Sequence, residues 1–283
     1  MQLDIDRIVR TTFVARAEYE PTVGSTNDRA AECAARDAGE LPLLVAADRQ
    51  TAGRGRGAKR WWTGPGALAF SLLVDGQTVG ADRGRSPLVA LAAAVAVVDT
   101  VAPLLPDCRV GIHWPNDVMV AERKLAGILI EVLPNRRHVV GIGLNTNNTL
   151  ADAPAELHVT AATLRDLSRR QYDQTEILVD LLGRLEREFL RLCREPQSVA
   201  ARANTLCLQR GRMLSLQWAN RTIAGRCQGI AADGAILLET PAGTEPFYSG
   251  ILSPAGTEPF DSGILSPAGT KPFDSGILPE PPR

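Results

Sequence analysis

The sequence has few residues of the kinds that build metal centres and disulfide frameworks. Among 283 residues there are five cysteines and three histidines, and no two cysteines have the C-x-x-C spacing of a zinc site or a redox motif. We expect the cysteines to be reduced, partly buried thiols. The sequence therefore argues against a zinc protein and against a small secreted domain held together by disulfides.

An excess of charge of one sign is also missing. The chain has 31 Lys and Arg against 32 Asp and Glu, a formal net charge of -1, so the overall balance does not indicate a nucleic-acid or membrane-surface protein. The first residues, MQLDIDRIVRTTF, contain acids where a signal peptide would be basic. No apolar stretch reaches the roughly 20 residues that span a bilayer. We therefore predict a cytoplasmic protein with no membrane partner.

Hydrophobic patterning divides the chain into an α/β part and a β part. In the first part we predict helices after residues 25–27, over residues 86–104 and over residues 173–195. Asp173 and Glu176 fit a capping box at the start of the last of these helices. The predicted strands between them are LPLLVAAD, ALAFSLLV, RVGIHW, KLAGILIEVL and HVVGIGLN. After residue 205, short apolar runs with tight turns predict a small barrel-like domain. A chain of this length fits one large domain and one small domain.

A repeat follows the predicted barrel strands. TPAGTEPFYSGIL at residues 240–252 recurs as SPAGTEPFDSGIL from residue 253 and as SPAGTKPFDSGIL from residue 266. Solenoid units are usually longer, about 20 to 50 residues, and each copy contains two prolines, which favours a tandem duplication. We expect the first copy to complete the β domain, because it needs the shortest connection. Residues 253–283 are then predicted to form a poorly ordered tail.

The segment QTAGRGRGAKRWW, residues 50–62, is called the basic loop below. Its glycines let backbone N–H groups approach an anion closely, and its four basic side chains can neutralise phosphate oxygens. Spacing alone leaves two alternatives open. Trp61 and Trp62 could stack on nucleic-acid bases, or the segment could be a solvated surface turn.

Two further stretches place polar residues at strand ends. Trp-Pro-Asn-Asp puts Asn116 and Asp117 where α/β proteins commonly bind ligands, and Asp117 is a candidate partner for a nucleotide-bound metal. Lys124 opens the following apolar strand, so it either extends to solvent or directs a fixed charge toward an anion. Asn145 ends GIGLN, which could also be a plain exit from a strand.

Taken in order, STN, QTAGRGRG..RWW, WPND....RKLAGILIE and GIGLN, followed by a small β domain, resemble biotin protein ligase in its monofunctional form. The resemblance covers roughly residues 20–252. It implies a central mixed β-sheet flanked by helices, of the class II aminoacyl-tRNA synthetase and biotin synthetase-like type, with a small C-terminal SH3-like β-barrel. The implied division is a catalytic domain over residues 1–204, the SH3-like domain over residues 205–252 and the tail over residues 253–283.

The resemblance also implies a reaction. The carboxylate of biotin attacks the α-phosphate of ATP, which forms biotinyl-adenylate and expels pyrophosphate, and the biotinyl group then passes to a lysine of a biotin carboxyl carrier protein domain. Because the first step brings two anions together, it depends on positioning and charge neutralisation. Biotin and ATP are the implied substrates, and Mg²⁺ is the implied cofactor.

Matching the family motifs position by position assigns roles to residues of this chain. The implied catalytic residues are Lys124, Arg54 and Asp117, with Asp117 also the candidate Mg²⁺ ligand and a candidate base in transfer. The residues implied in biotin binding are Ser25, Thr26, Asn27, Gln50, Gly53, Arg54, Gly55, Arg56, Lys124 and Gly127. Those implied in ATP and adenylate binding are Arg56, Trp61, Asn116, Asp117 and Asn145. The glycines of the basic loop would let it close over the adenylate.

The chain departs from the family pattern at two positions. His113 stands where the family commonly has lysine, and we expect a packed strand residue in preference to a nucleotide contact. Ala58 stands where glycine is usual, which restricts positive φ and puts the closure of the loop in question. Only 24 residues precede STN, so we expect no operator-binding domain and no DNA partner.

Two other functions are weighed against ligation of biotin. A lipoate ligase or octanoyl transferase resembles the same fold, but the ordered GRGRG and WPND stretches argue against it. A non-catalytic biotin-binding protein or a nucleic-acid module is disfavoured because Arg54, Arg56, Asp117 and Lys124 occur together.

Overall fold

The computed structural model describes residues 3–36, 39–80, 86–218 and 221–255. Within these ranges the chain forms two β-sheets, one with seven strands and one with five. Helices flank the larger sheet, and the smaller sheet follows near the C-terminus. The predicted α/β part and β part are both confirmed.

The larger sheet is mixed. Its strands are β1 (Arg16–Val23), β2 (Leu43–Gln50), β3 (Leu68–Val74), β4 (Val110–His113), β5 (Asp117–Val120), β6 (Arg123–Val132) and β7 (His138–Leu144). They lie in the order β1-β2-β3-β7-β6-β5-β4, with β1 and β2 parallel and all other neighbours antiparallel. The sequence analysis missed two strands. In β1, charged residues alternate with other residues, and β5 is only four residues long.

The described ranges contain seven α-helices. They are α1 (Ile5–Thr11), α2 (Thr26–Arg36), α3 (Ser86–Val101), α4 (Leu157–Thr160), α5 (Leu164–Ser168), α6 (Gln174–Arg194) and α7 (Pro196–Leu206). The carboxylate of Asp173 caps α6 as predicted, accepting hydrogen bonds from the N–H groups of Thr175 and Glu176. The Glu176 carboxylate, which we expected to complete a capping box, pairs with Arg7 at 2.7 Å. α7 was not predicted and continues past the expected domain boundary at residue 204.

α3 is the central helix of the core. The window Pro87–Leu104 has 18 residues and a mean hydropathy of 2.0, which is long and apolar enough to cross a membrane by composition alone. However, 72% of this window is buried inside the protein, where α3 packs against α6, α7 and β6. An apolar surface nearly all round the helix is what this central position requires.

The two faces of the larger sheet have different covers. Alternate residues of a strand point to opposite faces. Phe70, Leu72 and Ile142 on one face belong to the main hydrophobic core, which also contains the apolar residues of α3 and α6. α3 contacts β4, β5 and β6 of this sheet, and α6 packs on α3. On the other face, Val45, Leu73 and Val139 pack against Ala30, Cys33 and Ala34 of α2. On this second face α2 contacts β2, β3 and β7.

The smaller sheet is antiparallel throughout. Its strands are β8 (Met213–Trp218), β9 (Arg221–Ile230), β10 (Ile236–Thr240), β11 (Gly243–Phe247) and β12 (Ile251–Pro254), in the order β11-β10-β9-β8-β12. The first copy of the repeat supplies β11 and the first half of β12, as we expected, and Ser253 and Pro254 of the second copy supply the other half. No ladder joins β11 to β12 in the residues described, and this five-stranded antiparallel sheet is consistent with the SH3-like domain that we expected. The rest of the predicted tail, residues 256–283, lies outside the described residues.

Candidate active site

A single row of residues forms the base of the site. Residues directly opposite each other in neighbouring strands point to the same face of a sheet. Along one row, His113 pairs with Asp117, Asp117 with Gly127, Gly127 with Gly143, and Gly143 with Ala69. The row is polar on β4 and β5 and has no side-chain bulk at Gly127 and Gly143. These two glycines are called the glycine floor below.

Trp61 of the basic loop lies on the glycine floor. A Cβ placed on Gly143 would stand 2.3 Å from Trp61 Cε2, and one placed on Gly127 would stand 3.3 Å from Trp61 Cζ3. At Gly143 only glycine leaves room for the indole. The Nε1 atom of Trp61 is buried and has no hydrogen-bond partner within the described part of the chain, although a buried indole N–H usually has one. The indole N–H faces the glycine floor, since a Cβ placed on Gly143 would stand 2.6 Å from Trp61 Nε1.

Lys124 reaches the glycine floor through an irregularity in β6. Val118 pairs with Ala126 and Met119 with Lys124, so Leu125 is an extra residue that has no counterpart in β5. A β-bulge of this kind shifts the alternation of side chains by one residue. Lys124 consequently lies beside Gly127, and a Cβ placed on Gly127 would stand 3.1 Å from Lys124 Nζ.

The ammonium group of Lys124 is fixed by two neighbours. Its Nζ lies 2.7 Å from Asp117 Oδ1 and 5.7 Å from the centre of the Trp61 ring. The side chains of Lys124 and Asp117 are 23% and 19% exposed, so the pair is less screened than an ion pair in bulk water. Of the two alternatives for Lys124, the structure has the one in which a fixed charge lies within the site.

Arg56 lies beside Asn116 and near Asp117, the partner of Lys124. Its Nη1 donates to Asn116 Oδ1 at 3.3 Å, and Asn116 Nδ2 donates to the carbonyl oxygen of Ile128 at 2.6 Å. Burial lowers the pKa of the Arg56 guanidinium, while the nearby charge of Asp117 raises it. Arginine stays protonated in proteins, so Arg56 is a cation that has lost part of its hydration and interacts strongly with an anion.

Three of the residues implied in biotin binding lie where β1 leads into α2. Ser25, Thr26 and Asn27 are all buried there. Gln50 Oε1 accepts hydrogen bonds from the N–H and the hydroxyl of Thr26 at 2.9 and 3.1 Å, and Gln50 Nε2 donates to Thr63 Oγ1 at 3.1 Å. These bonds join the end of β2 to the start of α2 in one polar wall.

Asn27 is held by residues that the sequence analysis did not single out. The Ser71 hydroxyl donates to Asn27 Oδ1, and Asn27 Nδ2 donates to Glu131 Oε2, each at 2.6 Å. Asn27 also lies flat on the sheet, since a Cβ placed on Gly141 would stand 2.0 Å from its Oδ1. The signals that could have found these residues are a serine inside the apolar ALAFSLLV and a glutamate at the end of KLAGILIE.

The basic loop folds back on itself. The N–H of Gly55 donates to the carbonyl of Lys59 at 2.8 Å, and the N–H of Trp61 donates to the carbonyl of Gly53 at 2.9 Å. A Cβ placed on Gly53 would stand 2.5 Å from that part of the chain, at Trp61 O. Gly53 therefore allows the close approach that puts Trp61 over the sheet.

Neither departure from the family pattern disturbs the backbone of the site. The left-handed position of the loop is Gly57, with φ of 62°, and Ala58 has no positive φ. The restriction that we expected from Ala58 therefore does not arise. His113 is the last residue of β4 and pairs with Asp117. Burial lowers the pKa of His113, Asp117 raises it and Lys124 lowers it further, so a neutral strand residue stands here.

Arg54, which the resemblance assigns to catalysis and biotin binding, pairs with carboxylates of the chain itself. Its Nη2 lies 2.7 Å from Asp28 Oδ1 and 2.6 Å from Glu131 Oε2. Within the described residues, Asp28 and Glu131 are the charged partners of Arg54. Arg54 is thus tied to α2 and to the end of β6, whereas Lys124 and Arg56 are grouped around Asp117 and Asn116.

Asn145 comes directly after β7. It is buried, and its Oδ1 accepts a hydrogen bond from Asn148 Nδ2 at 3.1 Å. Asn145 lines a cleft together with Trp61, Trp62 and Lys124. The other lining residues of this cleft are Arg60, Leu150, Leu157, Thr160 and Ala161. The cleft therefore lies between the loop tryptophans and the short helix α4.

The residues present fit Mg²⁺ only as a companion of phosphate groups. No group of three or more His, Cys, Asp or Glu side chains that could hold a metal ion is found in the ranges that the structure describes. Asp117 offers one carboxylate, and this carboxylate already contacts Lys124. Mg²⁺ in nucleotide sites commonly uses one or two carboxylates together with substrate phosphates.

Comparisons with known proteins agree with this geometry. Residues 20–147 match the Biotin/lipoate A/B protein ligase family, and residues 213–253 match the Biotin protein ligase C terminal domain. The chain is 31% identical over 245 residues to the bifunctional ligase/repressor BirA of Bacillus spizizenii, which covers 82% of this chain and 71% of that protein. It is 37% identical over 170 residues to the biotin--[acetyl-CoA-carboxylase] ligase of Mycobacterium tuberculosis, covering 59% of this chain and 62% of that one.

The fold has the same relatives. The biotin protein ligase from Aquifex aeolicus in complex with biotin and ATP superposes with a TM-score of 0.73 at 25% sequence identity, covering 84% of this chain and 97% of that chain. The first matched segment contains the second half of β1 and all of β2 to β7, and the second contains most of the smaller sheet. The chain therefore belongs to the biotin protein ligase family.

Proposed function

We propose that this protein activates biotin with ATP, forming biotinyl-5′-AMP and pyrophosphate, and then transfers the biotinyl group to a lysine of a biotin carboxyl carrier protein domain. The position of Lys124 is the observation that carries the proposal. Its ammonium is fixed by Asp117 at 2.7 Å, beside the glycine floor and under the edge of the basic loop. A fixed cation in a cleft walled by two tryptophans suits a reaction between two anions.

In the first step, a carboxylate oxygen of biotin bonds to the α-phosphorus of ATP, and the bond from that phosphorus to the pyrophosphate oxygen breaks. Both reactants are negatively charged, so their repulsion opposes approach. We assign Lys124 to the space between the carboxylate and the α-phosphate, and Arg56 to the phosphate oxygens. No proton is transferred in this step, so position and charge supply the catalysis.

The remaining residues are assigned by their place around Lys124. Ser25, Thr26 and Gln50 form the polar wall to which we assign biotin, with Asn27 behind it. Trp61, with its buried indole N–H, and Asn145 lie along the cleft to which we assign the nucleotide. Mg²⁺ would enter with the triphosphate, near Asp117 and Asn116.

In the second step, the amine of the carrier lysine bonds to the acyl carbon, the bond from that carbon to the phosphate oxygen breaks, and AMP leaves. The amine also loses a proton, which passes to solvent water. Asp117 was a candidate base for this proton, but its carboxylate is engaged by Lys124. We therefore assign Asp117 to positioning Lys124, and the transfer itself to proximity of the two reactants.

The carrier protein is the finer part of the proposal. The relative from Mycobacterium tuberculosis is named a ligase of acetyl-CoA carboxylase. We propose the carrier domain of such a carboxylase as the partner of this chain, in the cytoplasm, with no DNA partner. The C-terminal sheet matches the domain that biotin protein ligases have in this place.

The test is biotin-dependent exchange of labelled pyrophosphate into ATP by the purified full-length protein, with lipoate as the control acid. Exchange with biotin and none with lipoate is the expected result. Exchange with lipoate would move the assignment to the lipoate branch of the same family. Tight binding of biotin without exchange would instead indicate a non-catalytic binding protein, and salt-sensitive retention of RNA or DNA would indicate the nucleic-acid alternative.

A further inference from the structure

Glu131 lies where three parts of the fold meet. It belongs to β6, and its Oε2 accepts hydrogen bonds from Arg54 of the basic loop and from Asn27 of α2, each at 2.6 Å. Asp28, the next residue of α2, adds a second carboxylate at 2.7 Å from Arg54 Nη2. One guanidinium of the loop is therefore held by carboxylates from α2 and from β6.

The two carboxylates are anchored differently. Glu131 is 30% exposed and is bonded to Asn27, which is itself buried and held by Ser71. Asp28 is 51% exposed, and the structure gives it no comparable anchor in the residues described. Hydrogen bonds between charged groups are strong, but exposure to water and salt weakens an ion pair. Glu131 is therefore the firmer of the two partners of Arg54.

Arg54 is the point at which this anchor acts on the loop. Its backbone forms an isolated antiparallel bridge with Arg60. The neighbouring residue Gly53 accepts the hydrogen bond from the N–H of Trp61. The glycines of the loop would allow its backbone many other conformations. A fixed Arg54 consequently keeps Trp61 on the glycine floor.

We propose that Glu131, assisted by Asp28, is a positioning residue that holds the basic loop closed through Arg54 and thereby sets how long the adenylate is retained. The part about the adenylate rests on the proposed function, whereas the part about the loop rests on the contacts alone. Arg54 then acts through closure of the loop, and Arg56 is the loop arginine that meets the substrate.

The first experiment measures opening of the loop without any substrate. Trypsin cleaves after Arg and Lys, and the loop offers Arg54, Arg56, Lys59 and Arg60. In Glu131→Gln we expect cleavage at these four sites to become about two- to fivefold faster, the factor expected when a partly exposed charge pair is lost. Cleavage is followed by mass spectrometry of the loop fragments, so that sites elsewhere do not interfere.

Three further variants make this result specific. Asp28→Asn should have a smaller effect than Glu131→Gln, because Asp28 is the more exposed partner. Glu131→Asp keeps the charge and should restore slower cleavage in part. Glu32→Gln removes a carboxylate on the same helix that pairs with Arg29 at 3.3 Å, and cleavage should stay at the rate of the unchanged protein. A Glu131→Gln loop that is cleaved at that same rate would overturn the inference.

The second experiment measures retention of the adenylate. The protein is incubated with biotin and ATP, separated from free nucleotide, and the release of biotinyl-adenylate is timed. In Glu131→Gln we expect release to be faster by about the same factor, with a smaller change in the rate of pyrophosphate exchange at saturating substrates. Unchanged release would overturn the link to retention. If the unchanged protein forms no adenylate at all, the proposed function fails, while the trypsin result still decides whether Glu131 holds the loop.

Discussion

Lys124 Nζ and Asp117 Oδ1 lie 2.7 Å apart, although the strand register pairs Lys124 with Met119 and Asp117 with Gly127. The extra residue Leu125 in β6 turns the Lys124 side chain toward Gly127, and so toward Asp117. The bulge therefore brings the ammonium and the carboxylate to one place on the sheet. A cation held in this way loses little conformational freedom when an anion binds.

Lys124→Ala should impair adenylation more than transfer. The ammonium is assigned to the space between two anions, so its loss should slow pyrophosphate exchange by about 100-fold or more, the usual effect of removing a group that stabilises developing charge. Transfer of biotin from supplied biotinyl-adenylate to a carrier domain should fall much less. Equal losses in the two assays would contradict the bridging role.

Arg56→Ala should abolish most of the exchange activity without unfolding the protein. The guanidinium is desolvated beside Asn116 and Asp117, and we expect a cost of about 2–4 kcal/mol in the adenylation step. Arg56→Lys keeps the charge and should recover part of the activity. Thermal melting is the control for folding, and a melting temperature lowered together with the activity would show that Arg56 is structural.

Gly143→Ala should displace Trp61 from the glycine floor. The new Cβ would stand 2.3 Å from Trp61 Cε2, so the indole has to move and the KM for ATP should rise. Tryptophan fluorescence and the KM for ATP are measured together. Gly183→Ala in α6 is the matched control, because a Cβ at Gly183 meets nothing within 4 Å and alanine favours a helix by up to about 1 kcal/mol. An unchanged KM in Gly143→Ala would contradict the position of Trp61.

His113 should make the protein less stable as the pH falls. Burial lowers its pKa in the folded protein, so the unfolded chain binds the proton more tightly. The stability that results is present above the unfolded pKa of about 6.5 and is lost as the pH falls from there toward the folded pKa. Between pH 7 and pH 5, the melting temperature of the unchanged protein should therefore fall more than that of His113→Gln.

His158→Gln, at an exposed histidine, serves as the control for this pH series. Its melting temperature should follow that of the unchanged protein. Parallel curves for the unchanged protein and for His113→Gln would show that protonation of His113 does not oppose folding.

Truncation should locate the functional end of the smaller sheet. Ser253 and Pro254 pair with Ser215 and Leu214 of β8, and the N–H of Ala255 donates to Met213 O. A chain that ends after Ala255 should keep its exchange activity and melting temperature. A chain that ends after Leu252 should melt lower, by about 2–4 °C for each kcal/mol of lost pairing. Equal melting temperatures would show that the β12 residues after Leu252 add no stability.

Five strands of the larger sheet and its long helices could be predicted from the sequence because local patterns specify them. β3 and β7 are apolar runs of the length of a strand, and α6 has an apolar stripe with Asp173 as its cap. β1 was not predicted because every second residue from Arg16 to Glu20 is charged: Arg16, Glu18 and Glu20. A half-exposed parallel edge strand tolerates these charges. α7 escaped because Pro196 reads equally well as the end of α6 and as the first residue of a new helix.

Local sequence specifies the kinds of residues at the site: a glycine-rich basic loop, a carboxylate after a strand, and a lysine at the start of the next strand. Their arrangement was decided only by the tertiary structure. The face of the sheet to which the Lys124 side chain points depends on the pairing of β6 with β5. The partners of Arg54 are Asp28 on α2 and Glu131 on β6. Local sequence specifies backbone preference and polarity, whereas these contacts join residues far apart in the chain, which meet only when the sheet register and the packing of α2 are set.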